Sequence, residues 1–200
     1  NSSPSVSLFR RSVVCSSTNC RRMFRTFVGT HSVVNQVLVA FGANLGHPVQ
    51  TFHSALDRLV ADDILRSVRC SPIFSTPPVG GPVDQPDYAN AVVTGRTTCG
   101  PRELLIRLLE VERMFGRDRD REIRWGPRRL DLDLIAFGDI RCSVPGLDLP
   151  HPRAQERPFV IGPCQTLPLE EIPGSIREIV RSFPSQWPKE QQGQEVFQCS

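Results

Sequence analysis

Trp125-Gly126-Pro127-Arg128-Arg129-Leu130-Asp131-Leu132-Asp133-Leu134-Ile135-Ala136-Phe137 turns, in its second half, into a strict alternation of leucine and aspartate. That is the period-2 pattern of a strand with one buried face. Leu130, Leu132 and Leu134 are expected to enter a core, and Asp131 and Asp133 to share the opposite face. Two carboxylates two residues apart on a strand sit roughly 6–7 Å from each other at the backbone. That spacing lets them share a pair of divalent ions roughly 3.5–4 Å apart. Aspartate is depleted in strands, so two in one apolar strand mark either the solvated face of an edge strand or a site. Arginine density just before the strand favours a site: Arg117, Arg119, Arg121, Arg124, Arg128 and Arg129 lie within thirteen positions. Mg2+ is held by one or two carboxylates plus substrate phosphates, and guanidinium forks match phosphate oxygens. With Trp125 able to border a base, the stretch points to a polyphosphate site.

Working outward, Val37 to Phe41 reads as a buried strand closed by Gly42. Pro48 opens a helix with Val49, Phe52, Leu56, Leu59 and Val60 on one face. Ile64 to Phe74 reads as a second strand, with Pro72 marking an edge or a bulge. Thr76 to Pro82 holds three prolines and two glycines and is a long loop. Tyr88 to Thr94 is a third strand. Gly100-Pro101 starts a second helix with Leu104, Leu108, Val111 and Phe115 in one stripe, stopped by Gly116. Past the Leu-Asp strand, a small hairpin arm is expected around Phe137 to Pro150. A short loop or helix follows at His151 to Arg157, and an amphipathic helix at Ser175 to Phe183. The order β-α-β-β-α-β predicts an α+β, ferredoxin-like sandwich, two helices on one face of a mainly antiparallel sheet, with C-terminal additions.

Composition narrows the chemistry. Residues 1–34 hold five arginines and no acid, while the rest carries 19 basic and 21 acidic residues. The body is therefore near neutral, and a broad nucleic-acid footprint is not supported. Lys189 is the single lysine, so a P-loop, which needs one, is excluded. No apolar run approaches the ~18–20 residues of a membrane-spanning helix. Seven cysteines form an odd set with no C-x-x-C pair, which argues against a zinc site and a disulfide framework and leaves reduced thiols as the expectation. The leader at 1–34, basic, serine-rich and acid-free, has the composition of an organelle transit peptide, mitochondrial or other; the alternatives are a disordered tail and a cytoplasmic protein. The expected domain spans 35–183, and 184–200 reads as a linker or tail.

Four separated motifs carry a family resemblance. They are Gly42-Ala43-Asn44-Leu45; Thr76-Pro77-Pro78-Val79-Gly80 with Asp84-Gln85-Pro86-Asp87-Tyr88-Ala89-Asn90; Arg124-Trp125-Gly126-Pro127-Arg128-Arg129-Leu130-Asp131-Leu132-Asp133; and Pro150-His151-Pro152-Arg153 with Arg157-Pro158-Phe159. In this order they resemble 6-hydroxymethyl-7,8-dihydropterin pyrophosphokinases over about 37–173. The resemblance implies the ferredoxin-like sandwich, and transfer of the β,γ-pyrophosphoryl group of ATP to the pterin's hydroxymethyl oxygen, leaving AMP, in folate synthesis. It implies two Mg2+ ions on Asp131 and Asp133. Arg128 would clamp phosphate, with Arg117, Arg119 or Arg121 closing over it from a mobile loop, and His151 and Arg157 would hold phosphates from the far side. Glu112, Arg124 and Trp125 would border the nucleotide. Tyr88 and Phe159 would sandwich the pterin, while Asn90 and the backbone around Thr76 and Val79 would read its edge. Asn44 would position the turn after the first strand. Ala43 stands where the family usually has serine, and Val79 where leucine is common. Members with such a leader are often fused to dihydropteroate synthase. The competing class is a ferredoxin-like nucleic-acid-binding module, disfavoured by the acidic strand and the neutral body.

Overall fold

The computed structural model describes residues 33–119 and 125–184. Its centre is strand β1 (Asn35–Ala43), paired antiparallel on one side with β4 (Tyr88–Thr97) and on the other with β5 (Asp131–Phe137). The outer side of β4 pairs antiparallel with two short strands, β2 (Arg66–Cys70) and β3 (Phe74–Thr76). The main sheet therefore runs β2–β4–β1–β5 with β3 also on β4, and it is an α+β structure with an antiparallel sheet. A separate hairpin, β6 (Cys142–Val144) and β7 (Leu147–Leu149), is the expected arm.

The strand expected over Ile64 to Phe74 is broken in two. Pro72 has no N–H to give a ladder, and Ser71 repairs the gap. Its N–H donates to Val92 O at 2.9 Å, and its hydroxyl accepts the Val92 N–H at 2.9 Å. The first half also slips register between Arg66 and Arg69.

Alternation along β1 divides the molecule into layers. Val37, Val39, Phe41 and Ala43 join Phe52, Ala55, Leu56 and Leu59 of α1 (Pro48–Ala61) and Leu104, Leu108 and Val111 of α2 (Pro101–Met114). Phe41 and Phe52 meet edge to face, centroids 5.6 Å apart. Val60, at the margin of the α1 stripe, is exposed instead. Leu38 and Ala40 point the other way, with Val92, Ile135 and Ala136. There they meet Val160, Ile161 and Cys164 of α3 (Pro158–Cys164) and Ile176 and Val180 of α4 (Gly174–Ser182). Helices thus cover both faces of the sheet: the two expected on one face, and α3 and α4 from the C-terminal additions on the other. The α3 helix escaped the sequence because seven residues, two of them prolines, carry too little periodicity to read.

Cys99 and Cys164 are free thiols, as expected. Cys70 is disulfide-bonded, contrary to the expectation of reduced thiols throughout. Among the described residues no helix is long and apolar enough to cross a membrane.

Candidate active site

The site lies on the sheet face that α3 covers only in part. Ala40 and Gly42 of β1 face Asp133 and Asp131 of β5 on one side and Val92 and Asn90 of β4 on the other. Two small residues in a row of bulky ones leave the middle of the sheet as a floor. Its walls carry the chemistry. The resulting cleft of about 570 Å3 is lined by Thr76, Pro77, Val79, Gly80, Tyr88 and Asn90 on one side. Trp125, Arg128, Asp131, Asp133, Arg153, Glu156, Arg157 and Phe159 line the rest.

The Leu-Asp strand behaves as its pattern dictates. Leu130, Leu132 and Leu134 are buried against α1 and α2, and both aspartates are half-buried on the cleft side. Past Leu134 the pairing with β1 shifts at Leu38/Val39, so Ile135 and Ala136 both turn towards α3 and α4. Asp131 is gripped at both oxygens: Arg117 pairs with Oδ1, and Arg128 Nη1 lies 2.8 Å from Oδ2. Arg157 Nη1 lies 2.6 Å from Asp133 Oδ2. Burial acts to raise the Asp131 pKa, but Arg117 and then Arg128 outweigh it and hold the carboxyl below its ordinary range. Both aspartates lie within reach of a ligand in the cleft.

Behind Asp131 sits Glu112, on α2 and almost wholly buried. It accepts the Leu132 N–H at 2.8 Å, Arg117 at 2.5 Å and Arg119 at 2.7 Å. Arg117 is itself buried between Glu112 and Asp131, so it is fixed where the sequence suggested a mobile clamp. Glu112 and Arg119 do not line the cleft, and neither does His151. His151 is half-buried behind Asp133; burial lowers its pKa against the pull of Asp133. Its Nδ1 accepts the Arg153 N–H at 3.2 Å, which leaves the neutral ring's proton on Nε2. Arg121 and Arg124 lie outside the described residues.

The opposite wall is tied by side chains to the arginine segment. Tyr88 O–H donates to Gly126 O at 2.8 Å. Asn90 Nδ2 donates to Thr76 Oγ1 at 2.8 Å, and so holds β3 against β4. Asn44 accepts the Arg128 N–H at 2.8 Å and donates to Pro86 O at 3.1 Å, bridging two loops from the turn after β1. Phe159, in the first turn of α3, reaches the cleft across from Tyr88. Sequence reasoning missed the floor residues Ala40 and Gly42, although small residues at alternate positions of an otherwise bulky strand are a readable sign. It also missed Arg153 and Glu156, which only the fold of the 151–157 turn brings to the cleft.

Such an arrangement defines an α+β protein whose cleft brings carboxylates and arginines, paired with one another, together with aromatic and amide side chains. Comparison with known proteins is specific. The chain belongs to the 7,8-dihydro-6-hydroxymethylpterin-pyrophosphokinase (HPPK) family, whose model matches residues 38–168. A 2-amino-4-hydroxy-6-hydroxymethyldihydropteridine pyrophosphokinase of Pseudomonas aeruginosa is 39% identical over 135 residues, 68% of this chain and 82% of that one. A protein of the same name from Synechocystis is 41% identical over 135 residues, 68% of this chain and 65% of its own length. A mitochondrial folate synthesis bifunctional protein of Arabidopsis thaliana is 39% identical over 161 residues, 80% of this chain. The match spans 28% of that longer relative.

Proposed function

We propose that the chain carries a Mg2+-dependent pyrophosphokinase that transfers the β,γ-pyrophosphoryl group of ATP to 6-hydroxymethyl-7,8-dihydropterin in tetrahydrofolate synthesis. The bond from the α,β-bridging oxygen to the β-phosphorus breaks, the hydroxymethyl oxygen bonds to that phosphorus, and its proton is released. AMP and the pterin diphosphate are the products. The observation that carries this reading is that one cleft is lined by Asp131, Asp133, Arg128 and Arg157 together with Tyr88, Asn90 and Phe159. A volume of about 570 Å3 is in the range of small-ligand sites.

The donors fit Mg2+. Among the described residues no cluster of three or more His, Cys, Asp or Glu forms an all-protein cage. Two carboxylates completed by substrate phosphates are what Mg2+ takes. Asp131 and Asp133 would hold two ions, which offset the triphosphate charge and acidify the hydroxymethyl group when bound. Arg128 and Arg157, released from those carboxylates, would turn to the phosphates, so every charge exchanges one partner for another. Arg117 would keep Asp131 oriented, and Arg119 and Arg121 are the loop arginines left to close on phosphate. His151, with its proton on Nε2, and Arg157 would donate to the phosphates, and Glu112, Arg124 and Trp125 would set the nucleotide side. Tyr88 and Phe159 would flank the pterin, where offset π-faces add to burial. Asn90, Thr76 and Val79 would read its edge.

The strand order β2–β4–β1–β5 with its two βαβ halves supports the ferredoxin-like description of the scaffold, carried by a domain of residues 35–183. A mitochondrial or other organellar location is supported by the leader's composition and by relatives named as mitochondrial from Arabidopsis and pea. Fusion to dihydropteroate synthase is in keeping with relatives named as bifunctional. The test is AMP release from ATP and Mg2+ with and without 6-hydroxymethyl-7,8-dihydropterin. Pterin-dependent AMP is the expected result, and AMP formed at one rate regardless of pterin would overturn the reading.

A further inference from the structure

Gln85 stands at the junction of the two walls. The loop between β3 and β4 turns through Gly80, Gly81 and Asp84, all with positive φ, and brings the Gln85 side chain back over its own backbone. The Gln85 Nε2 lies 3.2 Å from Gly80 O, 3.1 Å from Pro82 O and 3.1 Å from Trp125 O. Two amide hydrogens are thus shared among three carbonyls, two on its own loop and one forty residues away. Its Oε1 lies 3.4 Å from the Tyr88 hydroxyl, whose one proton goes to Gly126 O at 2.8 Å. The contact is close as well as polar. A Cβ on Gly81 would sit 2.2 Å from Trp125 O, and one on Gly80 would sit 3.2 Å from the Trp125 ring. Without an N–H in the gap the three carbonyls would face one another, and the two loops would be held by the Tyr88–Gly126 bond and the Asn44 bridge alone.

We propose that Gln85 is a positioning residue that joins the loop on the pterin side to the Trp125–Gly126 segment on the nucleotide side, and so couples the binding of the two substrates. This rests on the pyrophosphokinase reading of the cleft. A ligand that orders Trp125 also orders the Gly80–Tyr88 loop through the clasp, so the second ligand has less ordering left to do. The coupling is positive, and by linkage it is the same whichever substrate binds first.

The test uses titration calorimetry with the full chain, 6-hydroxymethyl-7,8-dihydropterin, Mg2+ and α,β-methylene-ATP, whose carbon bridge replaces the bond that breaks. In the parent protein the nucleotide analogue should tighten pterin binding by about tenfold or more. Gln85→Leu should bring that ratio to within about threefold of one while nucleotide affinity alone changes less than the ratio does. Tyr88→Phe, which keeps the ring but removes the Gly126 bond, should lower the ratio in the same direction. Unchanged coupling in folded Gln85→Leu, equal losses of both affinities at constant ratio, or no coupling in the parent would each overturn the proposal. A parent protein that binds neither substrate would instead sink the pyrophosphokinase reading itself.

Discussion

At Asp131 a single carboxylate carries both a structural and a chemical load. Its pKa is depressed because Arg117 and Arg128 outweigh burial, so the ionised form stabilises the fold above the ordinary carboxylate pKa. That contribution is lost as the pH falls through the lower, folded-state value. Urea unfolding stepped below about pH 4 should therefore show a shallower acid loss in Asp131→Asn than in the parent. At neutral pH both Asp131→Asn and Asp133→Asn should fold and lose on the order of a hundredfold or more in Mg2+-dependent AMP formation. Full activity in either would remove that carboxylate from the proposed metal site. Two arginines that look alike in sequence part company here. Arg117 is enclosed by Glu112 and Asp131, whereas the Arg119 side chain is 52% exposed. Arg117→Ala leaves a buried carboxylate short of a partner and should cost about 3–5 kcal/mol in denaturant unfolding. Arg119→Ala should cost at most about 1 kcal/mol. The alternation at 130–134 was legible because period 2 is a local property. Which arginine is buried was not, since that depends on where α2 ends against β5.

Among the elements, the broken edge of the sheet shows how a sequence signal can be right in kind and incomplete in form. Pro72 signalled an edge or bulge, and the outcome is a break with β2 and β3 each holding part of β4. What closes the break is the buried Ser71 hydroxyl, accepting the Val92 N–H in place of a ladder partner. Ser71→Ala should leave that N–H without an acceptor and destabilise the protein by about 1–3 kcal/mol, read from the midpoint of urea unfolding at unchanged m. A loss of a few tenths would mean that water or a backbone shift replaces the hydroxyl. The consequence reaches the site, because β3 delivers Thr76 to Asn90. Proline content announced the break, but a serine whose hydroxyl faces inward looks in sequence like any other turn serine.

For the whole molecule, the expected two-layer sandwich and the observed three layers make different demands on the C-terminal segment. In a two-layer protein the additions after Arg157 would be accessory. Here α3 and α4 bury Leu38, Val92, Ile135 and Ala136 and also deliver Phe159 to the cleft. The near-continuous apolar run of β1, Val37 to Phe41, already carried this information, since a strand apolar on both sides needs cover on both faces. It was not decisive, because the same run is compatible with a sheet edge covered by loops, and α3 has no periodicity long enough to declare itself. A chain ended at Arg157 separates the two cases. It keeps Asp131, Asp133, Arg128, His151 and the α1/α2 layer, but leaves one sheet face open over the centre of β1. The expected outcome is a species with retained far-UV circular dichroism, weakened near-UV signal, strong dye binding to exposed apolar surface and no AMP formation. A truncated chain that unfolds cooperatively with the parent's midpoint would show that the second layer adds no stability, and that α3 serves the cleft alone.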